Sequence, residues 1–219
     1  KVFTQNSGTL IFNSGATSSN SGTYQTQGTV TMNIHNGASF NTPLKINTGT
    51  TQVYDSGSPF IAKFYGSVTV DAGATLSAVG GGYYIQTNGN VINNGTFTSG
   101  GSSTLLIRSS SFSNSGTVTP TNLEFDTTTT ISGAGSYSPL NLLIAGSGNV
   151  SLANSLSLTP ASTMGINVGG VLNPNTFTVT LSTGTFTLSG GATVTNSGLF
   201  QTQGNITMNI KGGSNFNAP

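Results

Sequence analysis

The sequence lacks cysteine and tryptophan, and only five basic and four acidic residues occur among its 219 residues. The absence of cysteine excludes a disulfide scaffold and a thiolate metal site. Soluble domains ordinarily contain about 25 % charged residues, so a charged content of 4 % is a strong departure. Nucleic-acid binding needs a basic stripe that neutralises phosphates. The basic residues are instead scattered, at Lys1, Lys45, Lys63, Arg108 and Lys211. We therefore expect no nucleic-acid partner.

Long apolar runs are also missing. None approaches the roughly 18 residues of a membrane-spanning helix, so we expect no membrane span. Disordered chains usually combine high net charge with few β-branched and aromatic residues. Here the formal net charge is +1, and Val, Ile, Phe and Tyr recur throughout. We expect one folded domain over residues 1–219, beginning at Lys1 as a processed chain or a fragment.

An internal 176-residue repeat is the strongest signal in the chain. Residues 7–43 align with residues 183–219 without a gap, and 20 of 37 positions are identical. The segment TVTMNI (29–34) becomes NITMNI (205–210), and apolar residues occupy every second position in both copies. A period of two is typical of a β-strand with one buried face. We therefore expect Val30, Met32 and Ile34 to point inward.

Glycines mark a shorter period within this repeat. Gly8, Gly15, Gly22 and Gly28 recur at spacings of six or seven residues, and the second copy repeats those spacings. Strand-like segments of four to six residues lie between the glycine turns, and no helical period is present. The pattern predicts an all-β fold: a right-handed parallel β-helix, or β-solenoid, with triangular coils of roughly 20–22 residues. A 176-residue repeat would then hold about eight coils and extend roughly 40 Å.

An antiparallel sandwich is the alternative fold. Its strands usually recur every 8–12 residues and often pack around a buried Trp. This chain has no Trp and its spacing is nearer seven residues, which favours the solenoid. The segment 44–66 interrupts the glycine rhythm, and it is interpreted either as a longer coil or as a loop over the core.

Two segments carry a resemblance to known proteins: NLLIAGSGNVSLANSLSL (141–158) and VLNPNTFTVTLSTGTFTLSGGATVTNSG (171–198). They resemble the Thr/Asn/Gly-rich repeats of large bacterial cell-surface proteins. These include filamentous-haemagglutinin-like β-solenoid adhesins and the repeat regions of secreted Bacteroidota surface proteins. The resemblance implies a secreted, extracellular or cell-surface location, with a structural or adhesive function.

The sequence offers few groups for catalysis. Its acids are Asp55, Asp71, Glu124 and Asp126. The last two lie two residues apart in NLEFD, so within a strand they would share a face. Such a pair could act as general acid and base, or bind Ca²⁺ together with backbone oxygens, or lie on a solvated strand face. We favour the solvated face and keep Glu124 and Asp126 as calcium candidates.

The single histidine, His35, corresponds to Lys211 in the second copy. A metal ligand or general base would not survive that exchange, so we expect a solvated turn there. These observations together predict no enzyme, no cofactor and no catalytic residue.

The repeat suggests successive segments of a tandem array. The open edges of strands in a terminal coil suit continuation along the axis. We therefore expect a stalk or filament of the cell surface that self-associates end to end, with Met208 and Ile210 at the interface. The alternative is an adhesin that binds glycans or another cell through a lateral face.

Overall fold

The computed structural model describes residues 1–19, 21–35, 37–54, 61–79, 84–158, 163–195 and 198–219. These residues form three parallel sheets and no helix. Sheet A contains β1 (Val2–Gln5), β4 (Thr23–Thr26), β7 (Leu44–Ile46), β10 (Val68–Val70), β13 (Val91–Asn93), β16 (Ser111–Asn114), β19 (Thr128–Ser132), β22 (Asn149–Leu152), β25 (Val171–Asn173), β28 (Thr193–Val194) and β31 (Asn215–Phe216).

The other two sheets take up the remaining strands. Sheet B contains β2 (Gly8–Phe12), β5 (Val30–Ile34), β8 (Thr50–Tyr54), β11 (Thr75–Ala78), β14 (Thr96–Ser99), β17 (Thr117–Thr119), β20 (Ser136–Tyr137), β23 (Leu156–Leu158), β26 (Thr178–Leu181) and β29 (Leu199–Thr202). Sheet C contains β3 (Thr17–Ser18), β6 (Ser39–Phe40), β9 (Ile61–Phe64), β12 (Tyr84–Thr87), β15 (Thr104–Ile107), β18 (Asn122–Phe125), β21 (Asn141–Ile144), β24 (Thr163–Ile166), β27 (Gly184–Leu188) and β30 (Ile206–Ile210).

The connectivity is that of a β-solenoid. Each strand from β1 to β28 pairs in parallel with the strand three places further along the chain, so three consecutive strands make one coil and each belongs to a different sheet. The predicted triangular solenoid is confirmed, and the antiparallel sandwich is excluded. Right-handed winding stays a prediction of the crossover rule, because strand pairing is the same for either hand.

Coil length varies more than the sequence suggested. Thr104 pairs with Asn122 across a short coil, whereas Thr50 pairs with Thr75 across a long one. The corners absorb this difference, because the paired strands themselves stay in register on all three sheets.

The core lies between the three sheets. Val30, Met32 and Ile34 are fully buried, whereas the alternating residues Thr31 and Asn33 are only partly buried. The same alternation of buried and partly exposed residues recurs along most strands. The predicted inward register is therefore confirmed. At about 25 cal/mol per Å² of apolar surface removed from water, this continuous column is the main favourable contribution to folding.

Glycines stand where the corners of successive coils come close together. Gly49 has a φ of 72°, and a Cβ atom added to it would lie 2.3 Å from the carbonyl oxygen of Gly28 in the preceding coil. A side chain at this corner would therefore clash with backbone and also adopt a strained φ. Within the glycine rhythm of the sequence, Gly28 meets the backbone of Asn6 in the same way, whereas Gly15 has open space around it and instead permits a φ of 78°.

Buried polar side chains pair between neighbouring coils. Asn93 donates a 2.8 Å hydrogen bond from Nδ2 to Oδ1 of Asn114, and both residues are fully buried. The hydroxyl groups of Thr26 and Thr51 lie 2.7 Å apart in the interior. Because a buried polar group is costly without a partner, these contacts fix how one coil sits on the next.

The described parts of the irregular segment, residues 44–54 and 61–66, belong to a coil. They contribute β7, β8 and β9 to the three sheets in turn. Residues 55–60 lie outside the described residues, and so does the candidate acid Asp55.

The two copies of the repeat occupy different sheets. In the first copy, β2 and β5 belong to sheet B; their equivalents in the second copy, β27 and β30, belong to sheet C. From β2 to β27 the chain advances by 25 strands, which is eight coils plus one strand. The expectation of about eight coils is therefore confirmed. The extra third of a coil is what moves each equivalent strand to the next sheet.

The register generates a direct test. Val30→Asp places a charge in the closed core and should lower the free energy of unfolding by more than about 3 kcal/mol, because the carboxylate has no partner there. Thr31→Asp points to the partly exposed face and should cost less than about 1 kcal/mol. Urea unfolding of both variants measures the difference. Equal losses in the two variants would contradict the register.

Candidate functional site

A groove lies on the outer face of sheet C. Its volume is about 290 Å³, near the lower end of the range for small-molecule sites. Strands β15, β18, β21 and β24 form it side by side. The lining residues are Thr104, Asn122, Leu123, Glu124, Asn141, Leu142, Leu143, Thr163 and Gly165. Amide, hydroxyl, carboxylate and aliphatic groups therefore meet on one surface.

Glu124 is the only acidic residue in the groove lining. Its register partners on the neighbouring strands are Leu106 and Leu143, so apolar side chains flank the carboxylate on both sides. Burial raises the pKa of Glu124, the negative charge of Asp126 raises it further, and Arg108 opposes both effects. Within the described part of the chain, the Glu124 carboxylate accepts no side-chain hydrogen bond. Because the carboxylate is also partly exposed, hydroxyl or ammonium groups of a ligand can reach it.

Asparagines form one edge of the groove. Asn141 donates a 2.9 Å hydrogen bond from Nδ2 to Oδ1 of Asn122, and Nδ2 of Asn122 donates to the backbone oxygen of Ser102 at 3.1 Å. This chain of bonds holds the Asn122 and Asn141 amides in a fixed orientation.

Gly165 keeps the groove open. Its register partner is Leu143, and a Cβ atom added at Gly165 would lie 3.2 Å from Cδ1 of that leucine. The sequence alone did not reveal this groove, because it depends on which residues become neighbours across coils. Gly165 was its one visible signal, since a glycine inside a strand often marks close approach of another group.

Asp126 lies just beyond the end of β18, at the corner of the coil. Nε and Nη2 of Arg108 donate to its Oδ2 at 2.9 and 2.6 Å, and Oγ of Ser147 donates to its Oδ1 at 2.6 Å. The Ser147 hydrogen bond and the Arg108 guanidinium lower the pKa of Asp126 against an opposing effect of partial burial. Arg108 and Ser147 belong to the preceding and following coils, so Asp126 links three successive coils.

These contacts bear on the calcium hypothesis for Glu124 and Asp126. Both oxygens of Asp126 already accept hydrogen bonds, so a Ca²⁺ ion would have to displace Arg108 and Ser147. No group of three His, Cys, Asp or Glu side chains suited to a metal occurs within the described ranges. Calcium binding stays a prediction. The Arg108–Asp126 pair was missed at the sequence level, although its separation along the chain is close to one coil.

The remaining charged candidates lie apart from the groove. Asp71 forms an ion pair with Lys45, with 3.0 Å between Nζ and Oδ2. His35 lies in the turn directly after β5, where its backbone oxygen accepts a hydrogen bond from the N–H of Ala38. The His35 side chain is partly buried, so the solvated turn expected there stays a prediction.

The predicted interface residues lie at the last coil. Met208 and Ile210 are 42 % and 50 % exposed. They stand in line with the buried Phe186 and Leu188 of β27, so they belong to the inward columns. Their equivalents Met32 and Ile34 are fully buried, because β8 lies over β5. Strand β30 pairs with β27 on one edge only, among the described residues.

The first coil shows the converse arrangement. Leu10 and Phe12 of β2 are only partly buried, while their second-copy equivalents Phe186 and Leu188 are fully buried. Strand β24 covers the latter pair. A cavity of about 350 Å³ opens at this end of the solenoid. Its lining residues are Phe3, Leu10, Phe12, Ser18, Ser19, Thr23, Tyr24, Phe40 and Thr42.

Comparison with protein families, with curated proteins and with solved structures finds no match to this chain. The strand connectivity places the protein among β-solenoids built from repeats, without assigning it to a family. Among the described residues, no helix is long and apolar enough to cross a membrane.

The two carboxylates should respond oppositely to neutralisation. A raised pKa means that the folded protein binds the Glu124 proton more tightly than the unfolded chain does, so ionisation of Glu124 opposes folding as the pH rises. Glu124→Gln should therefore leave stability at pH 7 unchanged or raise it.

The lowered pKa of Asp126 has the opposite sign. Its charge stabilises the fold above the unfolded pKa, and that contribution is lost as the pH falls through the folded pKa. Asp126→Asn should lower the free energy of unfolding at pH 7 by about 1 kcal/mol, and this loss should shrink in acid. Urea unfolding of both variants at several pH values measures these effects. A loss for Glu124→Gln as large as that for Asp126→Asn would contradict this assignment.

Proposed function

We propose that this chain is a secreted structural protein that builds a cell-surface or extracellular stalk or filament by end-to-end stacking of β-solenoid units. One observation carries the proposal: the chain contains a covered version of each of its own exposed ends. Met208 and Ile210 are exposed where Met32 and Ile34 are buried. Leu10 and Phe12 are partly exposed, and their second-copy equivalents are buried.

The buried copy of each repeated strand indicates which kind of strand would pair with its exposed copy. Over β5 the covering strand is β8, with Thr51 opposite Val30 and Val53 opposite Met32. By equivalence, a strand like β8 should cover β30. Beneath β27 the covering strand is β24, with Met164 opposite Phe186, so a strand like β24 should lie beneath β2. The same sequence that follows residue 43 thus suits the position beyond residue 219.

Two physical terms favour such stacking. A further coil would pair the open N–H and C=O groups of β30 and would remove the apolar side chains of Met208 and Ile210 from water. The contact is heterologous, head to tail, and does not close on itself, which is the geometry that yields fibres. Ion pairs contribute little to it, since the whole chain carries so few charges.

An adhesin is the second candidate, and the groove on sheet C favours it. Fixed amides at Asn122 and Asn141, the carboxylate of Glu124 and the aliphatic side chain of Leu143 line one small depression. Glycans offer matching hydroxyl groups and apolar ring faces. The two functions are compatible, because the groove lies on a lateral face and the stacking surfaces lie at the ends.

The stacking proposal is tested by extending the chain. We append a second run of residues 44–219 after Pro219 and measure amide hydrogen exchange of β30. In the extended chain the amides of Ile206, Met208 and Ile210, whose N–H groups point away from β27, should exchange at least about tenfold more slowly than in the 219-residue chain, because the appended β8 pairs with them. Exchange at the same rate in both chains would contradict the stacking proposal.

Two control variants, both placed in the appended copy, distinguish specific pairing from a general effect of length. Val53→Asp places a charge in the inward column, where Val53 is 1 % exposed, and should abolish the added protection of β30. Gln52→Asp changes the neighbouring outward residue and should leave the protection in place.

The adhesin candidate is tested by filling the groove. Gly165→Val adds a side chain that crowds Leu143, and it should abolish any binding detected on a glycan array. Thr187→Val changes the next residue in the same column, outside the groove lining, and should leave binding unchanged. Binding that persists in Gly165→Val, with the circular dichroism spectrum unaltered, would remove the groove from the adhesin hypothesis.

A further inference from the structure

We propose that successive 176-residue repeats display the same side chains on the three faces of the solenoid in turn, each repeat advancing by a third of a coil. The two copies within this chain carry the inference. The first copy places its strands on sheets B, C, A, B and C, as β2 to β6. The second copy places the equivalent strands on sheets C, A, B, C and A, as β27 to β31.

The shift applies to every equivalent strand. Equivalent strands are separated by 25 positions in the order along the chain. Each coil uses three of the described strands, since every strand from β1 to β28 pairs with the one three places later. Twenty-five is one more than a multiple of three, so no equivalent pair can fall on the same sheet.

The physical reason is that the strand, and not the coil, is the interchangeable unit. Inward alternation buries Met32 and Ile34 on sheet B. It equally buries Phe186 and Leu188, equivalents of Leu10 and Phe12, on sheet C. Each sheet offers the same environment: parallel neighbours above and below, core on one side and solvent on the other. A strand sequence can therefore move to the next sheet without exposing its apolar face.

This inference rests on the proposed array for its functional consequence. One repeat spans eight coils and one strand, or about 40 Å along the axis at roughly 4.8 Å per coil. The groove around Glu124 lies on sheet C here; in the next repeat it would lie on sheet A, and then on sheet B. It would return to its original face only after three repeats, about 120 Å away.

The distribution of the grooves over the three faces determines which partners the solenoid could bind. A partner that surrounds the stalk, such as a hydrated glycan matrix, would meet one groove in every repeat. A flat surface would meet the groove of only one repeat in three. We call this advance by one face per repeat the phase of the repeat. The phase suits a stalk that binds partners from all sides, and it disfavours a stalk that lies along a planar array of ligands.

The phase is testable in the 219-residue chain alone. Gly15 and Gly191 are equivalent positions of the two copies, and both lie in exposed turns. Gly15 follows β2 at the corner between sheets B and C, whereas Gly191 follows β27 at the corner between sheets C and A. A short epitope tag inserted at both turns, and bound by an antibody fragment, marks each corner for electron microscopy.

A same-corner pair provides the matched control. Gly204 lies in an exposed turn between β29 and β30, at the corner between sheets B and C, about nine coils from Gly15. Two fragments bound at Gly15 and Gly204 should project from the same side of the rod. Two fragments bound at Gly15 and Gly191 should project from different sides, although their axial separation differs by less than one coil.

The outcomes separate the two proposals. Fragments at Gly15 and Gly191 on the same side would overturn the phase, whether or not the extended chain stacks. Different sides in this test, combined with unprotected β30 amides in the extended chain, would leave the phase standing and remove the array. Should a tag at these turns prevent folding, Gly37 and Gly213 form a second pair of equivalent exposed turns at the same two corners.

Discussion

Parallel backbone hydrogen bonding between neighbouring coils is the constraint on which the rest of this structure depends. Each strand from β4 to β28 is bonded to the strand three places before it and to the strand three places after it. The same stacking covers the inward side chains, because a single coil is too thin to bury them alone. With no disulfide available and so few charges, backbone pairing and apolar burial must supply nearly all of the cohesion. A substitution that disrupts backbone pairing or apolar burial in one coil therefore affects both adjacent coils.

Polar residues have a structural role within this arrangement. Asn93 and Asn114 bond to each other in the interior, and Asn122 and Asn141 do so on the outside. The abundance of Asn, Thr and Ser in the sequence thus has a physical explanation: short polar side chains bond either to a like side chain one coil away or to its backbone, as Thr129 Oγ1 donates to the backbone oxygen of Ser109.

Much of this fold could be predicted from the sequence. The features that could not be predicted have one cause in common. The alternation in TVTMNI predicted that Val30, Met32 and Ile34 point inward. This prediction depends only on the two-residue period of a single strand, and not on how neighbouring coils are aligned. The phase of the repeat was missed because coils of roughly 20–22 residues divide a 176-residue repeat into anything from eight to almost nine coils, a range wider than a third of a coil. The groove and the Arg108–Asp126 pair were missed for the same reason, since both depend on which residues become neighbours across coils.

The direction of the interstrand hydrogen bonds has a mechanical consequence. They run along the solenoid axis, so tension applied at the two ends of the solenoid would load the coils in series and open them one at a time. A ruptured coil of about 21 residues could lengthen from roughly 5 Å to about 70 Å, given the reach of an extended chain. Its neighbours would remain closed, and the released coil could re-form on the intact template beneath it. A tether built in this way yields gradually under load and limits the force that reaches its attachment points.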